Sequence, residues 1–421
     1  MHDLLVHART PDGAAISLAA SGGTITDVGP SVTGSAREEI EAPNAILLPS
    51  WIDAHVHFNE PGREHWEGLD TGSLALAAGG GTVFFDMPLN SSPPVTTRGR
   101  FEEKHRIAER KSHVDFALWG GLIPDSLPHL ADMAAAGAIG FKAFMCHSGL
   151  DEFPTADAAT LREGMRIAAD LHLPVAVHAE IPKTIDVSGK DMAAWLASRP
   201  IGFELDAIRR ALDLAHDTGC ALHIVHVTCA EGIDLVTEAK AAGIDVTVET
   251  CPHYLLLTDT DAIRIGAPAK CAPPLRTTST VEALWQRLLS GNIDTLGSDH
   301  SPSSPDLKTG DDLFAIWGGI AGIQHGLPLL CNRGFDFLPQ ISANVATRFR
   351  LPNKGGLLPG HDADFILLEK NTAPIAEPDL LTRHKISPYL GLTPRYRITT
   401  THLRGQKVTP QTRGRFIYPE H

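Results

Sequence analysis

The chain carries only six cysteines in 421 residues, at positions 146, 220, 229, 251, 271 and 331, and no CxxC pair. That scarcity excludes a disulfide framework and fits free thiols in a reducing cytoplasm, each expected to be buried and inert. No run of about 18 apolar residues occurs, and "MHDLLVHARTPDG" has no charged start followed by an apolar stretch, so neither a membrane span nor a signal peptide is expected. There is no basic tract. Acidic residues outnumber basic ones by 50 to 36, a formal charge of -14, which argues against nucleic acid and anionic membrane surfaces as partners. Internal repeats and low-complexity linkers are also missing.

What is present is a large apolar fraction, 43%, enough for one sizeable core. Eight short apolar runs read as strands: 50–57, 81–88, 114–121, 139–145, 174–180, 221–228, 245–250 and 293–299. Between them lie stretches with helical apolar spacing, such as "DAATLREGMRIAADLH" and "ELDAIRRALDLAHDTG". Alternating strand and helix signals predict parallel βα units, and eight of them predict an α/β fold of the (β/α)8 TIM-barrel type over 50–354. The ends differ. Residues 1–49 and 355–421 read as short β pieces with turn signals, and are expected to build one small β-sandwich domain from both termini. The turn-rich "SPSSPDLKTGDD" (301–312) is a candidate lid.

Polar residues then fall at the C-terminal ends of the runs: His55 and His57, Asp86 and Asn90, Lys142, His178, His226, Asp299 and His300. In a barrel those ends converge on one mouth. Residues two apart on a strand point the same way, so His55 and His57 can share a face. An HxH pair among 21 histidines is easy to obtain by chance, and a lone histidine on an apolar strand is commonly a satisfied core residue. The full set is harder to dismiss. A metal centre would satisfy every imidazole, and His with carboxylate ligation suits zinc and similar divalent ions. Lys142, inside "AIGFKAFM", has two readings. It forms a buried salt bridge to Asp299 or Glu180, or burial lowers its pKa and the neutral amine takes up carbon dioxide as an anionic carbamate.

These residues resemble the binuclear metal amidohydrolase superfamily. "DAHVHFNEPGREHWEG", "FDMPLNSSPP", "GFKAFM", "LHIVHVT", "ETCPHYL", "KCAPPLR", "GSDHSP" and "RHKISPYLG" are similar to its cyclic amidohydrolases, and Glu60-Pro61-Gly62-Arg63 with Trp66-Glu67-Gly68 to the allantoinase group. The resemblance covers nearly the whole chain. It implies two divalent metal ions per subunit, zinc foremost, with iron, cobalt or manganese compatible. His55, His57 and Asp299 would hold one, His178 and His226 the other, and carboxylated Lys142 would bridge them. It further implies hydrolysis of the hydantoin ring amide of allantoin to allantoate, with Asp299 as proton carrier, in a cytoplasmic homotetramer.

Substrate contacts implied by the resemblance are Asn90, Arg63, His147, Ala272 and Ser301. Asn90 holds the ring amide or caps its loop. Arg63 closes over the ureido arm or holds its loop. His147 stands where hydantoinases and dihydropyrimidinases carry Tyr, and could donate to an oxyanion. Relatives often have Ser at Ala272. Asn59 stands where dihydroorotase-like members carry a carboxylate-binding Arg, which argues against a carboxylated substrate. His300 orients Asp299 or is a loop residue, and His253 is read as structural. The rival readings are a hydantoinase or dihydropyrimidinase acting on another cyclic amide, and a non-catalytic scaffold.

Overall fold

The computed structural model describes residues 1–181 and 183–420. In chain order its strands are β1 (His2–Arg9), β2 (Ala15–Ser21), β3 (Thr24–Gly29), β4 (Ala36–Pro49), β5 (Trp51–Val56), β6 (Gly81–Asp86), β7 (Asp115–Leu118), β8 (Gly120–Gly121), β9 (Phe141–Phe144), β10 (Val175–His178), β11 (Leu222–Ile224), β12 (Val246–Thr250), β13 (Thr295–Leu296), β14 (Phe365–Lys370), β15 (Tyr396–Leu403) and β16 (Gln406–Lys407). Every apolar run expected to be a strand contains one. The fold is α/β, with strands β5 to β7 parallel in one sheet and β8 to β13 parallel in another.

Two features bring these sheets end to end. Only Trp119 separates β7 from β8. A parallel bridge joins Val56, at the end of β5, to His300, just beyond β13. Strands β5 to β11 are buried on both faces, apart from the half-buried Phe144 at the end of β9. Parallel strands covered on both sides read as continuous apolar runs for this reason.

The intervening helices follow from local chemistry. Helix 158–170 starts where Asp157 caps it by accepting from the Thr160 N–H (2.8 Å). It buries Leu161, Gly164, Met165 and Ala168, one face at helical spacing. Helix 201–218 buries Ala207, Ile208, Ala211, Leu212 and Ala215 and ends at Gly219, whose φ of 68° is a left-handed C-terminal cap that glycine adopts without strain.

Both termini contribute to one seven-stranded sheet, in the order β16-β15-β14-β4-β1-β2-β3. Strand β4 changes partner along its length: its first half runs parallel to β1, and its last residues pair antiparallel with β14. The chain's final residues return to the parallel strands, where Phe416 bridges Phe116.

A buried ionic cluster fastens the terminal sheet to β7. Lys354 Nζ lies 2.8 Å from Asp115, 2.7 Å from Asp362 and 2.7 Å from Asp364, and Arg404 also pairs with Asp115. Removing one partner from such a cluster leaves buried charges unpaired. Lys354→Met is therefore expected to cost about 3–5 kcal/mol of stability, read as a lower denaturation midpoint; an unchanged midpoint would count against the clamp.

Candidate metal centre

The six residues expected as ligands come from the ends of five strands and meet at one end of the parallel sheets. His55 is in β5 and His57 follows it, Lys142 is in β9, His178 ends β10, and His226 and Asp299 lie just past β11 and β13. Asp299 Oδ1 is 3.2 Å from His55 Nε2 and 3.3 Å from His57 Nε2. Across the site, His178 Nδ1 faces His226 Nε2 at 2.9 Å. His226 and Asp299 hold φ values of 45° and 44°. That left-handed conformation costs a residue with a side chain roughly 1–3 kcal/mol, and here it falls on two residues of the centre.

The ring nitrogens turned away from the centre are anchored. His55 Nδ1 pairs with Glu249 Oε1 at 2.7 Å, His57 Nδ1 with the Leu89 carbonyl at 2.9 Å, and His178 Nε2 with Glu180 Oε2 at 3.3 Å. Each partner is an acceptor, so each imidazole places its proton there and turns a lone pair inward, as metal-binding histidines require. Glu180 is also paired with Arg199. Sequence reading missed Glu249. Its signal was a carboxylate inside the apolar strand "VTVET", which must find a buried partner.

Burial dominates the electrostatics. It lowers the pKa of His55 and His178, and lowers that of His226 further with help from His178 and Lys142. Neutral imidazoles result, the form that binds metal. Burial pushes the Asp299 carboxyl up, but His55, His57 and His226 outweigh it and hold the group well below the usual carboxylate range. Burial would also raise Glu249, yet His55 and His223 bring it down to about 2.

Lys142 is fully buried, and its Nζ has no hydrogen-bond partner among the described residues. The salt-bridge reading is thereby disfavoured: no carboxylate among the described residues pairs with Nζ, and Glu180 is paired with Arg199. Burial lowers the amine to about 8, with Asp299 and Glu249 partly offsetting it. An isolated buried ammonium is costly. A carbamate beside cations removes that cost. Orphaned Lys142, the inward lone pairs and anionic Asp299 together fit a pair of divalent ions.

The site opens into a cavity of about 410 Å³ lined by His55, His57, His178, His226 and Asp299, and by Asn90, His147, Ala272 and Ser301. Arg63 is not part of that lining. It donates to the Asn90 carbonyl (2.7 Å) and to Glu152 (2.6 Å), which is the loop-holding reading. His147 sits at the rim with a mostly exposed side chain, 3.4 Å from Asp151. His300 does not bond Asp299 through its ring. Its main-chain carbonyl accepts from the His57 N–H at 2.8 Å, which sets the register of the ligand strand. His253 is buried, and neither ring nitrogen has a partner among the described residues. Beyond the expected lid, residues 314–319 form part of the wall. Lys270 binds the Ile316 carbonyl and Lys308 the Gly319 carbonyl (2.7 Å). Trp195 and Arg199 line the cavity too, unforeseen from sequence. A larger groove of about 710 Å³ runs along β15 and holds none of this chemistry.

Comparison with known proteins agrees with the geometry. The chain is 49% identical to the allantoinase of Rubrobacter xylanophilus, covering 94% of this chain and 93% of that one. It is 48% identical to the allantoinase of Deinococcus radiodurans, covering 97% and 96%. Among solved structures it superposes on the L-hydantoinase (dihydropyrimidinase) of Arthrobacter aurescens with a TM-score of 0.93 at 31% identity, covering 99% of this chain and 100% of that one. Residues 46–408 match the amidohydrolase family, and the chain belongs to that family.

Proposed function

We propose that the protein hydrolyses the hydantoin ring amide of allantoin to allantoate. The whole-length likeness to allantoinases carries this reading, and Asn59 in place of a carboxylate-binding arginine supports it. His55, His57 and Asp299 would hold one divalent ion and His178 and His226 the other, with carboxylated Lys142 between them. Zinc suits these ligands best; iron, cobalt and manganese are compatible. When bound, the metals supply Lewis acidity and bring the pKa of water toward about 7.

The chain's own residues do the rest. Anionic Asp299 takes a proton from the attacking water and delivers it to the departing ring nitrogen. The carbonyl carbon gains the water oxygen, the C–N bond breaks, and the product bears a new carboxylate. Asn90, Ser301 and the main chain at Ala272 bind the ring, and His147 approaches from the rim.

The parallel strands form, in this reading, a closed eight-stranded barrel over 50–354. The link across Trp119 and the Val56–His300 bridge support closure. The terminal sheet, bent where β4 changes partner, folds on itself as a small sandwich of residues 1–49 and 355–421; Leu4, Val6, Leu18, Leu47, Phe365 and Leu367 share one core in support. A cytoplasmic homotetramer is the proposed working form. Six unpaired, buried cysteines suit a reducing compartment, and no helix among the described residues is long and apolar enough to cross a membrane.

A substrate panel tests the function. Metal-loaded protein is expected to turn over allantoin faster than hydantoin or dihydrouracil. Fast turnover of the latter with none of allantoin would establish the hydantoinase reading that the Arthrobacter likeness favours. No bound metal, and no activity on adding it, would favour the scaffold.

A further inference from the structure

We infer that Asn59 sets the hydrogen-bond polarity of the substrate subsite: it holds the Asn90 amide so that Asn90 presents an acceptor, and the substrate ring must present an N–H to it. The inference rests on the cavity being the ring-amide site proposed above. The Pro302 main-chain carbonyl can only accept, and Asn59 Nδ2 donates to it at 3.1 Å. Asn59 Oδ1 is therefore turned toward Asn90. The side chain is fully buried, and its φ of 66° is a left-handed conformation that asparagine tolerates better than most residues.

Asn90 has no freedom left. Its Nδ2 donates to Asn59 Oδ1 at 3.3 Å and approaches Ser301 Oγ at 3.5 Å, so its two N–H bonds have two acceptors. Turning the amide over would set two carbonyl oxygens against each other. Arg63 holds the main-chain carbonyl of the same residue. Asn90 Oδ1 has no partner among the described residues, is not among the sealed unpaired atoms, and belongs to a residue of the cavity wall. A ring N–H satisfies it. A ring oxygen or an N-methyl group in that place leaves it unpaired. Sequence reading saw in Asn59 only a missing arginine; the structure assigns it a positioning role.

The test uses metal-loaded wild type and one variant. Asn59→Gly keeps the left-handed backbone and removes the relay. Inhibition constants, and kcat/KM where turnover occurs, are compared for hydantoin, oxazolidinedione (oxygen for one ring N–H) and N-methylhydantoin carrying the methyl on the other ring nitrogen. Wild type is expected to discriminate against at least one analogue by about tenfold or more, the scale of leaving a buried acceptor unpaired. That ratio should shrink to within about threefold in Asn59→Gly, by the same energetics. Equal binding of all three rings by wild type overturns the inference without any variant. An unchanged ratio in Asn59→Gly with metal content intact also overturns it. Failure to hydrolyse allantoin while other ring amides are turned over sinks the proposed function alone, because the N–H preference is read on the ring itself.

Discussion

Lys142→Ala is expected to purify with less metal and to lose at least roughly 100-fold in kcat/KM, since even outer partners of metal ligands are worth about 10–100-fold. The alanine removes a fully buried side chain from the meeting point of the four histidines and Asp299. A small carboxylic acid added in solution should restore part of the metal binding by standing in for the carbamate. Full activity and full metal content in the variant would show that Lys142 does not bridge. The pH dependence has a defined sign. Burial lowers the amine to about 8, so its neutral form, the one that reacts with carbon dioxide, accumulates as pH rises through that value. Reconstitution of metal-free protein with divalent metal and bicarbonate should improve as pH rises through about 8. The opposite trend would argue for a lysine that stays an ammonium.

Asp299→Asn is the second large effect. Asparagine keeps the size of the side chain and an oxygen that could still face a metal, but it cannot take up the proton. The expected loss is about 100- to 10,000-fold in kcat, the usual worth of a positioned general base or acid. KM should change little and folding not at all. Retained metal with lost kcat separates the proton-carrying role from ligation; loss of both together would reduce Asp299 to a ligand.

The parallel strands were legible because they are buried on both faces. A short continuous apolar run bounded by turn residues fits few places besides a covered strand, and β5, β6, β9 and β10 fall inside the runs expected for them. Surface strands were harder. The first half of β4, "AREEIEAPN", is largely exposed and polar, so its extended backbone left little trace in the sequence. The candidate ligands were legible for a related reason: a histidine or lysine inside an apolar strand is costly without a partner, and one metal centre would satisfy all six residues at the strand ends. Arg63 and Asn59 were not legible in the same way. Both lie in an irregular loop whose partners, Glu152 and Pro302, are 89 and 243 residues away.

The order of amino acids alone settles which segments are apolar and extended, which polar residues interrupt them, and hence that a metal centre could be built at the strand ends. It does not settle which way each polar atom faces. That Glu249 takes the outer nitrogen of His55, that Lys142 is left without a partner among the described residues, and that Asn90 turns its oxygen to the cavity all depend on contacts between segments distant in the chain. Apolar character and its spacing belong to a residue and its neighbours in sequence, and can be read locally. Hydrogen-bond direction is a property of pairs, and the pairs exist only once the chain has folded.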